Sequence, residues 1–278
     1  MVGHLRRIYE KLFAEFGPQH WWPGETPFEV VVGAILTQNT NWGNVEKAIA
    51  NLRTAGRLTP SGLKKIPLVE LAALIKPSGY FYVKAKRLKN FIDFLFREYR
   101  GDLNRMKEEP LDVLRKKILS VNGIGPETAD SILLYALGKT VFVIDAYTKR
   151  VLSRHALVDH ETEYQNIQKI FMENLPNDRK LFNEYHALIV KLGKDFCRPK
   201  ARCEDCPLNK IHYSLERRCR RCYRYLSRRQ NRYSIEIEDD RIPQKQFSGK
   251  KTAKIIDLCP KCYRDQFSVS DPPTAKIY

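Results

Sequence analysis

The sequence predicts a mainly helical protein that ends in a small β module, and three observations carry that expectation. Apolar residues recur three and four apart through residues 5–226, the period of helices with one buried face. The connections between these stretches are short and carry proline or glycine, as in Pro23-Gly24, Pro77-Ser78-Gly79 and Gly101-Asp102. Further on, Tyr233-Ser234-Ile235-Glu236-Ile237-Glu238 alternates with period two, as a strand does. At 278 residues the chain can bury a sizeable core shared between two or three domains. It contains no internal repeat and no low-complexity tract.

Residues 1–16 are amphipathic and charged, with Leu12, Phe13 and Phe16 on the apolar side, so they read as a helix and not as a signal peptide. Val30/Ala34/Ile35, Leu68/Leu71/Leu74/Ile75 and Leu88/Phe91/Ile92/Leu95 mark further helices. Leu111, Val113, Leu114, Ile118 and Leu119 mark another, which Val121-Asn122-Gly123-Ile124-Gly125 then breaks. Glycine at alternate positions lets the backbone turn sharply and approach a ligand closely. Pro126 suits the first position of a new helix, and Glu127 and Asp130 complement the dipole of its first turn. Ile132, Leu133, Ala136 and Leu137 extend it as an apolar stripe until Gly138 stops it.

A helix-hairpin-helix of this kind directs backbone amides at a point where a phosphate can accept them. The plainer alternative is an ordinary corner in a helical core. Twenty residues after the hairpin, Asp145 closes the apolar run Val141-Phe142-Val143-Ile144. A carboxylate is costly there unless its charge is used. It can also cap a helix starting at Ala146, and both roles are compatible.

The formal charge of +17 and a pI near 9.6 favour a polyanionic partner. Membrane insertion is disfavoured, because no apolar run approaches the ~20 residues that a spanning helix needs. All seven cysteines follow residue 196, and they cluster in C-x-x-C pairs, which suits metal binding in a reducing cytoplasm better than a disulfide framework.

The order of the hairpin, its helix and then Phe142-Val143-Ile144-Asp145-Ala146-Tyr147-Thr148-Lys149-Arg150-Val151 resembles the helix-hairpin-helix DNA glycosylases of the endonuclease III superfamily. Ala34-Ile35-Leu36-Thr37-Gln38-Asn39-Thr40 and a late cysteine cluster fall in the family's order, so the resemblance spans about residues 5–212. It implies an all-α, two-domain fold. A six-helix barrel over residues 26–139 carries the hairpin, and residues 1–25 with 140–212 form a discontinuous helical domain with a metal loop. Residues 213–278 make a zinc-ribbon-like β extension. The implied partner is double-stranded DNA with a damaged base flipped from the stack, bound by a monomer in the cytoplasm at the nucleoid.

By the same resemblance Asp145 is catalytic: it stabilises positive charge on the sugar as the base departs. Gln38 enters the duplex to fill the vacated space, although a polar helix-end residue is an equal reading of that position alone. Asn122, Gly123, Ile124, Gly125 and Glu127 form the DNA-binding hairpin. One departure stands out. Bifunctional relatives carry a Schiff-base lysine where this chain has Glu127, and a glutamate cannot attack C1′ as an amine. A monofunctional enzyme is the implied result. The alternatives are a bifunctional glycosylase/lyase and a non-catalytic DNA-binding repair protein. His20-Trp21-Trp22-Pro23 with Trp42 resembles the 3-methyladenine branch, whose aromatic side chains line the base pocket. A π-face suits an alkylated purine, which carries positive charge. The alternative is that Trp21 and Trp22 are core anchors, an equal reading for Trp21 and the lesser one for Trp22.

Cys197-x5-Cys203-x2-Cys206-x5-His212 resembles the family's iron–sulfur loop with histidine last, a set that suits a 4Fe-4S cluster or structural zinc. Cys219 is an alternative fourth ligand. The loop would present Lys200, Arg202 and Lys210 to phosphates. Cys219-x2-Cys222 and Cys259-x2-Cys262 are paired knuckles with zinc-ribbon spacing. The arginines from Arg217 to Arg232, interleaved with Tyr223 and Tyr225, suit DNA or a protein partner; a solvated charged face is the plainer reading.

Overall fold

The computed structural model describes residues 2–21, 24–155, 157–209, 211, 233–238 and 253–258. Among them the helices run α1 (Val2–Phe16), α2 (Pro27–Leu36), α3 (Trp42–Thr54), α4 (Pro60–Lys65), α5 (Leu68–Leu74), α6 (Phe81–Tyr99), α7 (Leu103–Glu108), α8 (Leu111–Leu119), α9 (Pro126–Ser131), α10 (Ala146–Arg154), α11 (Tyr164–Asn174) and α12 (Arg179–Asp195). The period-two stretch forms β1 (Tyr233–Glu238), which pairs antiparallel with β2 (Ala253–Leu258), Tyr233 opposite Leu258. His212 and the four cysteines expected in a zinc ribbon, Cys219, Cys222, Cys259 and Cys262, lie outside the described residues.

The chain forms two compact units. The first comprises Met1–Leu5, Pro18–Asp145 and Gln168–Ala187; the second comprises Arg6–Gly17, Ala146–Ile167 and Leu188–Tyr278. Helices α1, α11 and α12 therefore each begin in one unit and continue in the other.

The first unit is built around α2. Thr26 caps it by accepting from the Glu29 amide at 3.1 Å, and Pro27 occupies its first position. Every residue from Phe28 to Leu36 is buried, so α2 has no polar face and reads as a continuous apolar run. Glu29 is the charged exception, and Arg53 on α3 answers it at 2.9 Å. Helices α6, α3 and α9 pack around α2. Each fully buried Val, Ile or Leu side chain contributes about 1.5–3 kcal/mol to that assembly. A second apolar centre forms where Phe142 stacks on Phe171 of α11 at 3.8 Å, with Phe182 and Tyr185 of α12 edge-on.

The single helix expected from Pro126 to Gly138 is interrupted. Helix α9 stops at Ser131, and a π-helical turn covers Ile132–Ala136, closed by the Leu137 amide donating to Ile132 O at 3.1 Å. The extra residue in the turn rotates the segment beyond it by about 100° relative to a regular helix. Ile132, Leu133 and Leu134 remain buried while Tyr135 reaches His186.

In the second unit, α10 and α12 approach closely at Gly193, where a Cβ would collide with the Tyr147 ring. Arg150 donates to Cys197 O at 2.6 Å and to Gly193 O at 3.3 Å, tying α10 to the cysteine loop.

Candidate active site

The hairpin follows α8 and carries Gly123 in the left-handed region, with φ of +92°. A Cβ at Gly123 would collide with Cγ of Arg87, so two separate reasons require glycine there. Ile124 is buried and pins the turn to the core, whereas Asn122, Gly125 and Glu127 are exposed. Helix α6 supports the hairpin from one side: Asn90 Nδ2 donates to Asn122 O at 3.0 Å. Gln38, just beyond α2, meets the same turn, with Nε2 donating to Gly123 O at 3.2 Å and to Thr128 Oγ1 at 2.9 Å. Arg87 Nη1 donates to Gln38 Oε1. The structure thus gathers the residues expected at the hairpin.

Asp145 ends a run in which Val141, Phe142, Val143 and Ile144 are all buried, and its own side chain is 11% exposed. His186 of α12 places Nε2 3.7 Å from Asp145 Oδ2. The Tyr135 hydroxyl lies 2.6 Å from the other ring nitrogen, Nδ1. Burial, and then the charge of Asp145, hold the Tyr135 phenol well above its ordinary range, so it stays protonated beside Nδ1. Burial lowers the pKa of His186, against the opposing pull of Asp145.

Glu127 reaches solvent, but it sits in a recess crowded enough that its carboxyl is pushed up to about 7, by burial first and by the charge of Asp145 second. The two carboxyl groups of hairpin and apolar run therefore feel each other, which adds to the cost of ionising Glu127.

Of the three tryptophans, Trp21 acts on the Tyr135 hydroxyl beside Asp145. Trp42 donates from its indole to Glu46 Oε1 at 2.8 Å and lines a cavity of about 410 Å³ with Glu25, Glu29 and Arg53. Trp22 lies outside the described residues. Lys200 and Arg202 are exposed, Arg202 3.7 Å from Asp205.

Cys197, Cys203 and Cys206 line one small cavity with Arg154 and His155. Arg154 Nη1 donates to Cys197 Sγ at 3.3 Å. The Cys206 thiol is pushed up to about 11, by burial foremost, with the charges of Cys197 and Cys203 adding to it. A bound cation would deprotonate a thiol such as Cys206 on coordinating it. Among the described residues, no three His, Cys, Asp or Glu side chains are drawn together closely enough to hold a metal ion.

Sequence reasoning missed Tyr135, His186 and Arg87. Tyr135 had a faint signal, a hydroxyl inside an apolar stripe. Nothing near His186 or Arg87 in sequence marks either residue.

This arrangement defines a protein that holds one largely buried carboxylate, Asp145, and a second carboxyl of raised pKa, Glu127, just after the hairpin glycines. A sequence profile of the HhH-GPD superfamily base excision DNA repair proteins matches residues 32–177, and the chain belongs to that superfamily. At that level it is a DNA repair glycosylase. It is 48% identical over 209 residues to a Methanocaldococcus jannaschii protein whose name assigns it to the DNA repair glycosylases, covering 74% of this chain and 94% of that one. It is 30% identical to endonuclease III of Thermotoga maritima, covering 69% and 84% of the two chains. Among solved structures, the 3-methyladenine DNA glycosylase of H. pylori bound to 1,N6-ethenoadenine aligns with a TM-score of 0.58 at 28% identity, covering 69% of this chain and 95% of that one. A non-covalent endonuclease III–DNA complex shares the fold, with a TM-score of 0.66 at 21% identity over 77% and 95% of the two chains.

Proposed function

We propose that this protein is a monofunctional glycosylase that hydrolyses the bond between deoxyribose and a damaged base, an alkylated purine, in double-stranded DNA. The observation that carries the reading is the pairing of Glu127 with Asp145: a carboxyl stands where bifunctional relatives place an amine, and its pKa is near neutrality. Lys139, a neighbouring amine, is occupied in donating to Glu109 O at 2.6 Å.

The chemistry rests on the two charges. As the C1′–N bond breaks, its electron pair leaves with the base and positive charge grows on the sugar. Asp145, held beside the neutral His186, stabilises that charge most strongly in a water-poor recess. Water bonds to C1′ and gives its proton to ionised Glu127, whose pKa near 7 suits a base at neutral pH. An N3-methylated purine already carries positive charge and departs neutral, so the site need not protonate it. Trp21, Trp22 and Trp42 are the aromatic residues proposed for the base pocket. The ethenoadenine held by the H. pylori relative supports a modified purine.

The test is release of 3-methyladenine from duplex DNA, with borohydride trapping alongside. Wild type is expected to release the base without a covalent adduct, and Asp145→Asn to lose roughly 10²–10³-fold in kcat. An adduct trapped with wild type would replace this reading with the bifunctional one. Full activity in Asp145→Asn would remove Asp145 from the mechanism.

Cys197, Cys203, Cys206 and His212 are proposed to hold a structural 4Fe-4S cluster or zinc ion, and Cys219, Cys222, Cys259 and Cys262 a second zinc. Such a metal would order the loop that carries Lys200 and Arg202. Visible absorbance and elemental analysis of the purified protein distinguish iron from zinc.

A further inference from the structure

Gln38 is drawn in against the hairpin. Its Nε2 donates to Gly123 O at 3.2 Å and to Thr128 Oγ1 at 2.9 Å, and its Oε1 accepts from Arg87 Nη1. The stem of Arg87 lies across Gly123 so closely that no Cβ fits between them. One guanidinium therefore touches both the side chain expected to enter the duplex and the turn expected to grip its backbone. Arg87 projects from α6 one turn beyond Lys84 and one turn before Asn90. Lys84 donates to Leu36 O at 2.9 Å and to Ser78 O at 2.6 Å, and Asn90 donates to Asn122 O at 3.0 Å. Its neighbours on α6 are thus fixed to backbone carbonyls. Arg87 alone of the three holds a side chain that can move.

We propose that Arg87 is a latch coupling backbone engagement to entry into the helix: it holds Gln38 on the hairpin in the free protein, and transfers to a DNA phosphate at the hairpin when DNA binds. The proposal rests on the glycosylase reading above and adds how the site is armed. The carboxamide oxygen of Gln38 is a neutral acceptor taking one guanidinium nitrogen. A phosphate is anionic, can take two, and forms charge-assisted bonds about twice as strong. Once Arg87 has turned to the phosphate, Gln38 Oε1 is left partly enclosed without its donor, which favours its leaving the hairpin for water or the duplex. The equilibrium shifts because phosphate interacts with one state only. Undamaged DNA is sufficient to trip the latch, so Gln38 would be released during search, before a lesion is met.

The test tracks the Gln38 side-chain amide by nitrogen-15 NMR, its signal assigned by loss in Gln38→Ala, as a short undamaged duplex is added. In wild type the signal is expected to shift as the duplex saturates. In Arg87→Met it is expected to lie near the shifted position before any DNA is added, and to move little afterwards. The slope of log affinity against log salt should also fall by about 0.9 in Arg87→Met, the loss of one phosphate contact. Thr128→Val, which loosens Gln38 without touching Arg87, should displace the free signal and keep the wild-type slope. Saturating DNA binding with an unmoved Gln38 signal would sink the latch alone, as would an unchanged slope in Arg87→Met. Failure of wild type to bind duplex at all would bring down the glycosylase reading beneath it.

Discussion

Glu127 is the residue on which the proposed reaction type turns. A lysine in its place would offer an amine to C1′, whereas a carboxyl cannot form a Schiff base there. Its pKa is raised to about 7, so it is mostly protonated below that pH and ionised above it. If it takes the proton of the attacking water, single-turnover base release should rise as pH increases through about 7 and then level off. In Glu127→Gln that rise should vanish and the plateau rate should drop roughly 10²–10³-fold. A rate that falls through the same pH range would instead make Glu127 a proton donor to the base. At this scale a motif fixed the register: the substitution at Glu127 and the role proposed for Asp145 both came from neighbours in the chain. Tyr135 and His186 did not, because they stand 51 positions apart in the chain and only the fold brings them together. A histidine in an amphipathic helix looks the same whether it is packing or positioning a carboxylate.

Helix α6 is the element that fastens the site. Lys84 is 1% exposed, an unusual place for an ammonium, and its two carbonyl acceptors explain it: one ends α2 and the other ends the turn Lys76–Ser78. Burial, and then the charge of Arg87, lower its pKa to about 8. Lys84→Met keeps the volume but leaves Leu36 O and Ser78 O without that donor. Urea unfolding should show a loss of about 2–4 kcal/mol, and a change under 0.5 kcal/mol would mean that water replaces the amine. Because the folded-state pKa lies below that of a free lysine, the unfolded chain binds more protons between about 8 and 10.5. This group's contribution to stability therefore rises with pH across that window. Helices with a clean apolar stripe, such as α6 and α8, were legible from period alone. The π turn after α9 was not, since one additional residue per turn leaves the composition unchanged and is set by what Ile132 to Leu134 must pack against. The strand at Tyr233–Glu238 was legible from its alternation, whereas β2 was not singled out.

Across the whole molecule the charge of +17 governs the encounter with DNA. Affinity for undamaged duplex is expected to fall roughly 10²–10³-fold between 50 and 200 mM salt, as counterions displaced from several phosphates return. A nearly flat salt dependence would assign the basic excess to another polyanion. The composition signalled that excess, but not how the chain distributes itself, because an excursion and a return cost no visible feature in sequence. Residues 146–167 leave the first unit, and residues 168–187 come back to it with His186. Asp145 and His186 therefore cannot be recovered together in a fragment that stops at the first crossing. During synthesis, a nascent chain that has already exposed the hairpin and Asp145 must emerge some forty residues further before its imidazole partner exists.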